Sequence, residues 1–386
     1  MTRIEKETFN TKINTLNNNS ILNNVAKNLS LFLLKPTNST QNTNEGGFWN
    51  DYGVELGQTN QTQTDSGPYD NVRNIMNRDL TAIMNSAIDN YILPKKVQKL
   101  TDRLQDDLDK ADFYKERLKR PNLTSSDIAN LEAKLAELPD EGNGQIDKPS
   151  INQPGICWLM AGINSLASTE TGQKFLEKNI KKTDKNGRTL FVVHLQEAEN
   201  NGYHNGVYIF TKEEVLAAQD GNSFTTGDGD IAAYALAVEA YLKESGNKKD
   251  FKDGKYSSSE YPFRAYEILT GIERSYGDEE TGVSHVVFRD KDKDSDIDAD
   301  DVSDSFNKIK KLTDEKKAAF ILSDSEHAFS VIGTDGDYLL VQESTFDTEK
   351  YSKMFELMPD KFPPTYKIAK DDLAKFKTYS SIQWEE

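Results

Sequence analysis

The chain has 386 residues, one cysteine, four histidines and a formal net charge of −17, with a sequence pI near 4.9. Such an excess of carboxylates repels phosphate backbones and anionic lipid surfaces, so no nucleic-acid partner is expected. A single thiol forms no internal disulfide, four scattered histidines make no zinc-finger pattern, and no apolar run approaches the roughly 18 residues of a membrane span.

The first residues, MTRIEKETFN, lack the apolar stretch of a secretory leader. The expected location is the cytoplasm, or outside the cell through a specialised system that needs no cleaved signal peptide. Residues 1–45 are rich in Asn, Ser and Thr and read as a mobile segment, with one short amphipathic helix over 21–34 (Ile21, Val25, Leu29, Leu33). Residues 46–147 read as a helical region. It opens on Phe48, Trp49 and Tyr52, expected to pack on the next domain, and a polar Gln/Thr tract. A helix is predicted over 69–93, with Pro94 ending it or opening the next. A helical hairpin is predicted over 95–119 and 125–138, with an N-cap at Ser125 or Ser126 and a narrow apolar stripe (Val97, Leu100, Leu104, Leu108). The hairpin carries no chemistry of its own and reads as an inhibitory prosegment, a chaperone site or an arm that binds a partner. Residues 139–150 read as a linker.

Within the predicted domain 148–386 the composition changes from residue 151, where apolar runs (LFVVHL, GVYIF, AAFIL, AFSVIG, YLLVQE) supply a core. The only thiol, Cys157, comes after Gln153-Pro154-Gly155-Ile156 and opens a run of small and apolar residues with helical character. A cysteine in the first turn of a helix meets unpaired N–H groups and the positive end of the dipole, which favour thiolate. Its own N–H can serve an oxyanion hole, with the Gln153 amide as second donor. A buried structural cysteine is the competing reading. Residues 318–323, HAFSVIG and YLLVQE read as a β-meander, with His327 at the start of its second strand. Histidine is the natural base for a thiol. Glu343, at the end of the third strand, is placed to orient the imidazole, with Asp337, Gln342 and Ser344 as competitors. His194, His204 and His285 read as structural or surface groups. Residues 290–301 (DKDKDSDIDADD) form an acidic run expected on a loop. It starts like a calcium loop but has Ser295 where a Gly is needed and Asp301 where a Glu is needed, so a solvated loop is the favoured reading.

Gly155-Ile156-Cys157-Trp158-Leu159-Met160-Ala161 resembles the nucleophile motif of papain-like cysteine proteases, calpains above all. Glu326-His327-Ala328-Phe329-Ser330-Val331-Ile332-Gly333 resembles the calpain histidine motif. Residues 229–242 and 263–271 resemble the calpain segments between them, so the resemblance covers about 148–350. It implies an α+β papain-like fold, in which a helix carrying the cysteine packs on an antiparallel sheet carrying the histidine, preceded by the helical region. It also implies Cys157 as nucleophile, His327 as base and Gln153 as the oxyanion-hole glutamine. The family glutamine stands six residues before the cysteine, where this chain has Ile151, and the stretch matching the family's Asn-Pro-Trp is Gln342-Glu343-Ser344-Thr345, which holds no such Asn. The expected activity is a cysteine-type endopeptidase acting on protein or peptide substrates without cofactor or metal. Transglutaminase or deamidase chemistry on the same scaffold, and an inactive protease-like binding protein, are the alternatives.

Overall fold

The computed structural model describes residues 69–136, 138–146, 151–152, 156–220, 225–246, 251–252, 255–256, 261–276, 282–288, 299–324, 326–344, 348–358, 361 and 363–385. The expected helix at 21–34, the aromatics at 48–52, Gln153 and residues 290–298 of the acidic run lie outside them. All described residues except Lys255 belong to a compact unit spanning 67–252 and 256–386. No helix among them is long and apolar enough to cross a membrane.

Two helices stand where one was predicted over 69–93. They are α1 (Asp70–Asn77) and α2 (Thr81–Asn90). Arg78 between them is extended, and the Asp79 carboxylate accepts the Thr81 N–H at 2.9 Å to restart the helix. The hairpin forms from α3 (Asp102–Leu118) and α4 (Ser125–Ala136), which pack on each other. The first of these begins seven positions later than predicted because Thr101 caps it, its hydroxyl accepting the Leu104 N–H at 3.1 Å. The cap of α4 is Thr124 rather than Ser125 or Ser126: Thr124 and Asp127 exchange hydrogen bonds at 3.1 Å in both directions. The stretch read as a linker is docked over its described part. The N–H groups of Asn143 and Gly144 donate to the buried Asp230 carboxylate at 2.8 and 3.0 Å, and Gln219 brackets Asp140 through two further bonds.

The remaining elements mix helices with mainly antiparallel sheets, an α+β architecture as expected. After β1 (Ile151–Asn152) come α5 (Cys157–Ala167) and α6 (Glu170–Lys178). A three-stranded antiparallel sheet is formed by β2 (Ile180–Lys185), β3 (Arg188–His194) and β4 (Val207–Thr211), with α7 (Gln196–Asn200) before β4 and α8 (Lys212–Ala218) after it. Next come β5 (Thr225–Thr226), paired with β1, the long buried α9 (Gly229–Glu244), capped by Asp228, and α10 (Phe263–Thr270). Gly271 ends α10 at φ 67, the left-handed conformation that glycine adopts at no steric cost.

The larger sheet holds eight strands: β6 (Ser275–Tyr276), β7 (Val283–Val287), β8 (Ala318–Ser323), β9 (Ala328–Asp335), β10 (Tyr338–Glu343), β11 (Glu356–Leu357), β12 (Thr365–Ile368) and β13 (Thr378–Gln383). Their spatial order is β11-β12-β10-β9-β8-β13-β7-β6, antiparallel except for the β6–β7 pair. The predicted meander is therefore its centre. One face packs Phe320, Leu322, Phe329 and Val331 against Val302, Phe306, Ile309 and Leu312 of α11 (Ala299–Asp314). That helix corrects the loop reading at Asp300 and Asp301, which lie in its first turn. The opposite face receives α5 near Ile321. Gly162 is needed there, because a Cβ on it would stand 2.4 Å from the Cβ of Ala265 on α10.

Candidate active site

Ile156, at φ −120 and ψ 17, is not helical, so Cys157 is the first residue of α5. The Ile156 carbonyl accepts from Leu159 at 3.0 Å and Met160 at 3.1 Å, which closes the first turn. The N–H groups of Cys157 and Trp158 have no carbonyl a turn earlier within the helix, and both lie against the Cys157 sulfur, as does the N–H of Ala328. The residue is buried, 9% exposed. Burial pushes the thiol up from its ordinary value. The three N–H groups pull it part of the way back, and the Asp324 carboxylate adds a further upward push.

The Ala328 amide places Cys157 next to the chain that bears His327. The histidine sits one residue before β9 rather than at its start, in the turn after β8. Phe329 and Glu343 are register partners across β9 and β10, which brings the Glu343 carboxylate to 3.7 Å from His327 Nε2. Glu343 is completely buried and also accepts the Tyr366 hydroxyl at 2.9 Å. Glu343 thus faces the Nε2 edge of the ring.

Cys157, His327, Glu343 and Gln153 are the site residues expected from the sequence. The structure brings the first three into one neighbourhood, and Gln153 lies outside the described residues. Among the competitors for Glu343, Asp337 sits at the far hairpin, where Asp335 pairs with Tyr338. Gln342 pairs with Ser330 and alternates to the other face of the strand. Ser344 lies at the site in another role, its hydroxyl 3.5 Å from the Cys157 carbonyl. The other histidines have structural surroundings. His194 is held between Asn179 and Glu199 at 3.0 Å each, His204 meets Glu244 at 3.1 Å, and His285 meets Ser380 at 3.0 Å.

Two neighbours of His327 did not emerge from the sequence. Asp324 accepts the Glu326 and His327 N–H groups at 2.7 and 2.6 Å. An Asp two and three residues before those amides is the signal of an Asx turn and was legible. Tyr351, on α12 (Thr348–Tyr351), stacks on the imidazole at 5.7 Å and 24°. It arrives from a separate element, and no periodicity marks it. Among the described residues, no group of three or more His, Cys, Asp or Glu side chains is arranged to hold a metal ion.

The arrangement sets a thiol with backbone N–H groups at its sulfur near an imidazole that has a buried carboxylate beside it. No protein-family model matches the chain, and no curated protein matches it.

Proposed function

We propose that the chain is a cysteine-type peptidase on a papain-like scaffold of the calpain kind, with Cys157 as nucleophile, His327 as base and Glu343 as the group that orients and charges the base. One observation carries this reading: the carboxylate 3.7 Å from His327 Nε2 belongs to the same strand pair whose Ala328 amide touches the Cys157 sulfur. A buried thiol pushed upward does not ionise alone near neutral pH. It needs a proton acceptor beside it, and a buried carboxylate behind imidazole supplies the compensation for imidazolium.

Catalysis begins when the thiol proton passes to His327 and thiolate attacks the substrate carbonyl carbon. The resulting oxyanion is stabilised by N–H groups at the start of α5. His327 returns the proton to the leaving amine as the C–N bond breaks, which leaves a thioester on Cys157. Water, deprotonated by His327, then attacks the thioester and releases the acid and the thiol.

A carboxylate as third member also suits acyl transfer from glutamine, with ammonia as the first leaving group. A second amine as acceptor gives transglutamination, and water gives deamidation. A screen with an unfolded protein substrate and a glutamine-containing peptide separates these outcomes. New chain ends support peptidase action, and ammonia without cleavage supports the transferase or deamidase reading. Neither product from the intact chain, with Cys157→Ala and His327→Ala as controls, overturns the enzyme reading in favour of a protease-like binding protein.

A further inference from the structure

His327 has a second set of neighbours besides Glu343. Asp324 occupies the turn between β8 and β9. Its Oδ1 accepts two backbone N–H groups, including that of His327, and its own N–H donates to the His327 carbonyl at 3.1 Å. Its Oδ2 accepts the Tyr351 hydroxyl at 3.2 Å. Tyr351 is 3% exposed. Its ring lies over the imidazole, while Phe329 stands edge-on to both rings, 5.1 Å from His327 and 4.8 Å from Tyr351. One carboxylate therefore fixes both the backbone of the histidine and the aromatic plate above it.

We propose that Tyr351, anchored through its hydroxyl to Asp324, is a positioning residue that holds the His327 ring with Nε2 toward Glu343 and its opposite edge toward Cys157. The inference rests on the peptidase reading above. The torsion that rotates an imidazole is broad and nearly two-fold, so a carboxylate at one ring nitrogen does not by itself fix the plane of the ring. A stacked plate on one side and Phe329 at the edge confine it. The same plate keeps water from the His327–Glu343 pair, where a lower local dielectric strengthens the attraction. The charged groups around the ring are Glu343, Asp324, and the Lys350–Glu326 pair at 2.6 Å, with Lys350 also 3.1 Å from the Tyr351 hydroxyl. The hydroxyl of Tyr366 faces Glu343 from β12. Burial and Asp324 keep the Tyr351 phenol protonated, so it remains a donor.

The test is the rate of Cys157 alkylation by iodoacetamide across pH, on the full chain, with thermal unfolding measured in parallel. Tyr351→Leu should lower the neutral-pH rate about tenfold, in line with the cost of a misplaced catalytic group, and should move the rising limb to higher pH. Tyr351→Phe keeps the plate and loses the anchor, and should show a smaller loss of about threefold with the limb displaced in the same direction. A role in stability alone would lower the unfolding temperature and leave the limb in place. If the Leu variant does not fold, the Phe variant carries the test, and an unchanged limb in it overturns the assignment. A wild-type limb at neutral pH that survives intact in Tyr351→Leu overturns this assignment alone. A wild-type chain with no such limb overturns the peptidase reading and this assignment with it.

Discussion

Glu343 reaches His327 across a single strand pair, with its carboxylate 3.7 Å from Nε2 and no exposure to solvent. A carboxylate buried this completely is costly unless charge and hydrogen bonds compensate it. Tyr366 supplies one hydrogen bond. On the proposed mechanism, imidazolium would supply the charge whenever His327 holds the thiol proton.

Replacing Glu343 by Gln keeps the shape and removes the charge. Turnover should fall by on the order of 10²-fold, the usual scale of a general acid–base contribution, with little change in unfolding temperature. Steady-state hydrolysis of a fluorescent protein substrate reads this directly. Retention of more than half the wild-type rate would remove Glu343 from the site.

The close approach of α5 and α10 makes a second prediction. Gly162→Ala places a methyl group 2.4 Å from the Ala265 Cβ, so one helix must move. Overpacking of this kind costs about 1–3 kcal/mol, and displacement of α5 shifts Cys157 with it. The pair Gly162→Ala with Ala265→Gly should recover most of the loss. Denaturant midpoints of the single and double variants check this, and a neutral single variant would contradict the packing.

Stability should fall with acid in two stages. Burial, reinforced by Arg274, pulls His285 from 6.5 down to about 4. The unfolded chain takes up a proton that the folded chain refuses, so this contribution is complete above about 6.5 and is lost as pH falls toward 4. Burial raises Glu199, but hydrogen bonds and charge from His194 and Arg78 outweigh it and bring the carboxyl from 4.5 down to about 2. Its contribution is present above about 4.5 and is lost as pH falls toward 2. His285→Gln should flatten the upper stage and Glu199→Gln the lower one, each read from denaturant midpoints across pH. A single acid limb that neither substitution alters would contradict both assignments.

Arg78 ties the helical segment before residue 90 to the rest of the unit, at 2.5 and 2.7 Å from the two Glu199 carboxylate oxygens. Lys185 adds to this by capping the end of α2, bonding the carbonyls of Ile88, Asp89 and Tyr91 at 2.5, 2.8 and 2.9 Å. Arg78→Gln leaves Glu199 with His194 and the Gln196 amide, at 3.0 and 2.9 Å, and should destabilise the chain by about 1–2 kcal/mol, less than a fully buried pair because the guanidinium is partly exposed. Proteolysis should then cut first within 69–100. An unchanged cleavage pattern would argue that the other contacts suffice.

The central strands were readable because the apolar run at 318–323 and the alternation in 327–333 are local signals. The placement of Glu343 beside His327 was legible through the hairpin that joins their strands. Helix starts were misplaced where caps decide them. Thr101 and Thr124 took roles that the apolar stripe does not encode, and Asp79 restarted a helix that periodicity alone would run through. The split at Arg78 serves a tertiary contact with Glu199, more than a hundred positions away, which no window of sequence contains. Tyr351 was invisible for the same reason: its place over His327 depends on a short helix returning to the sheet after β10.

On the proposed mechanism, Cys157 depends on His327 for its ionisation. Since burial alone pushes this thiol up, removing the base should leave it less reactive than an ordinary free cysteine, whose pKa is about 8.5. The decisive measurement is the iodoacetamide labelling rate of Cys157 at pH 7 in the wild type and in His327→Ala, with glutathione as the reference thiol. The wild type should label faster than glutathione and the variant slower. Equal rates in the two proteins would contradict the pairing of the thiol with the imidazole.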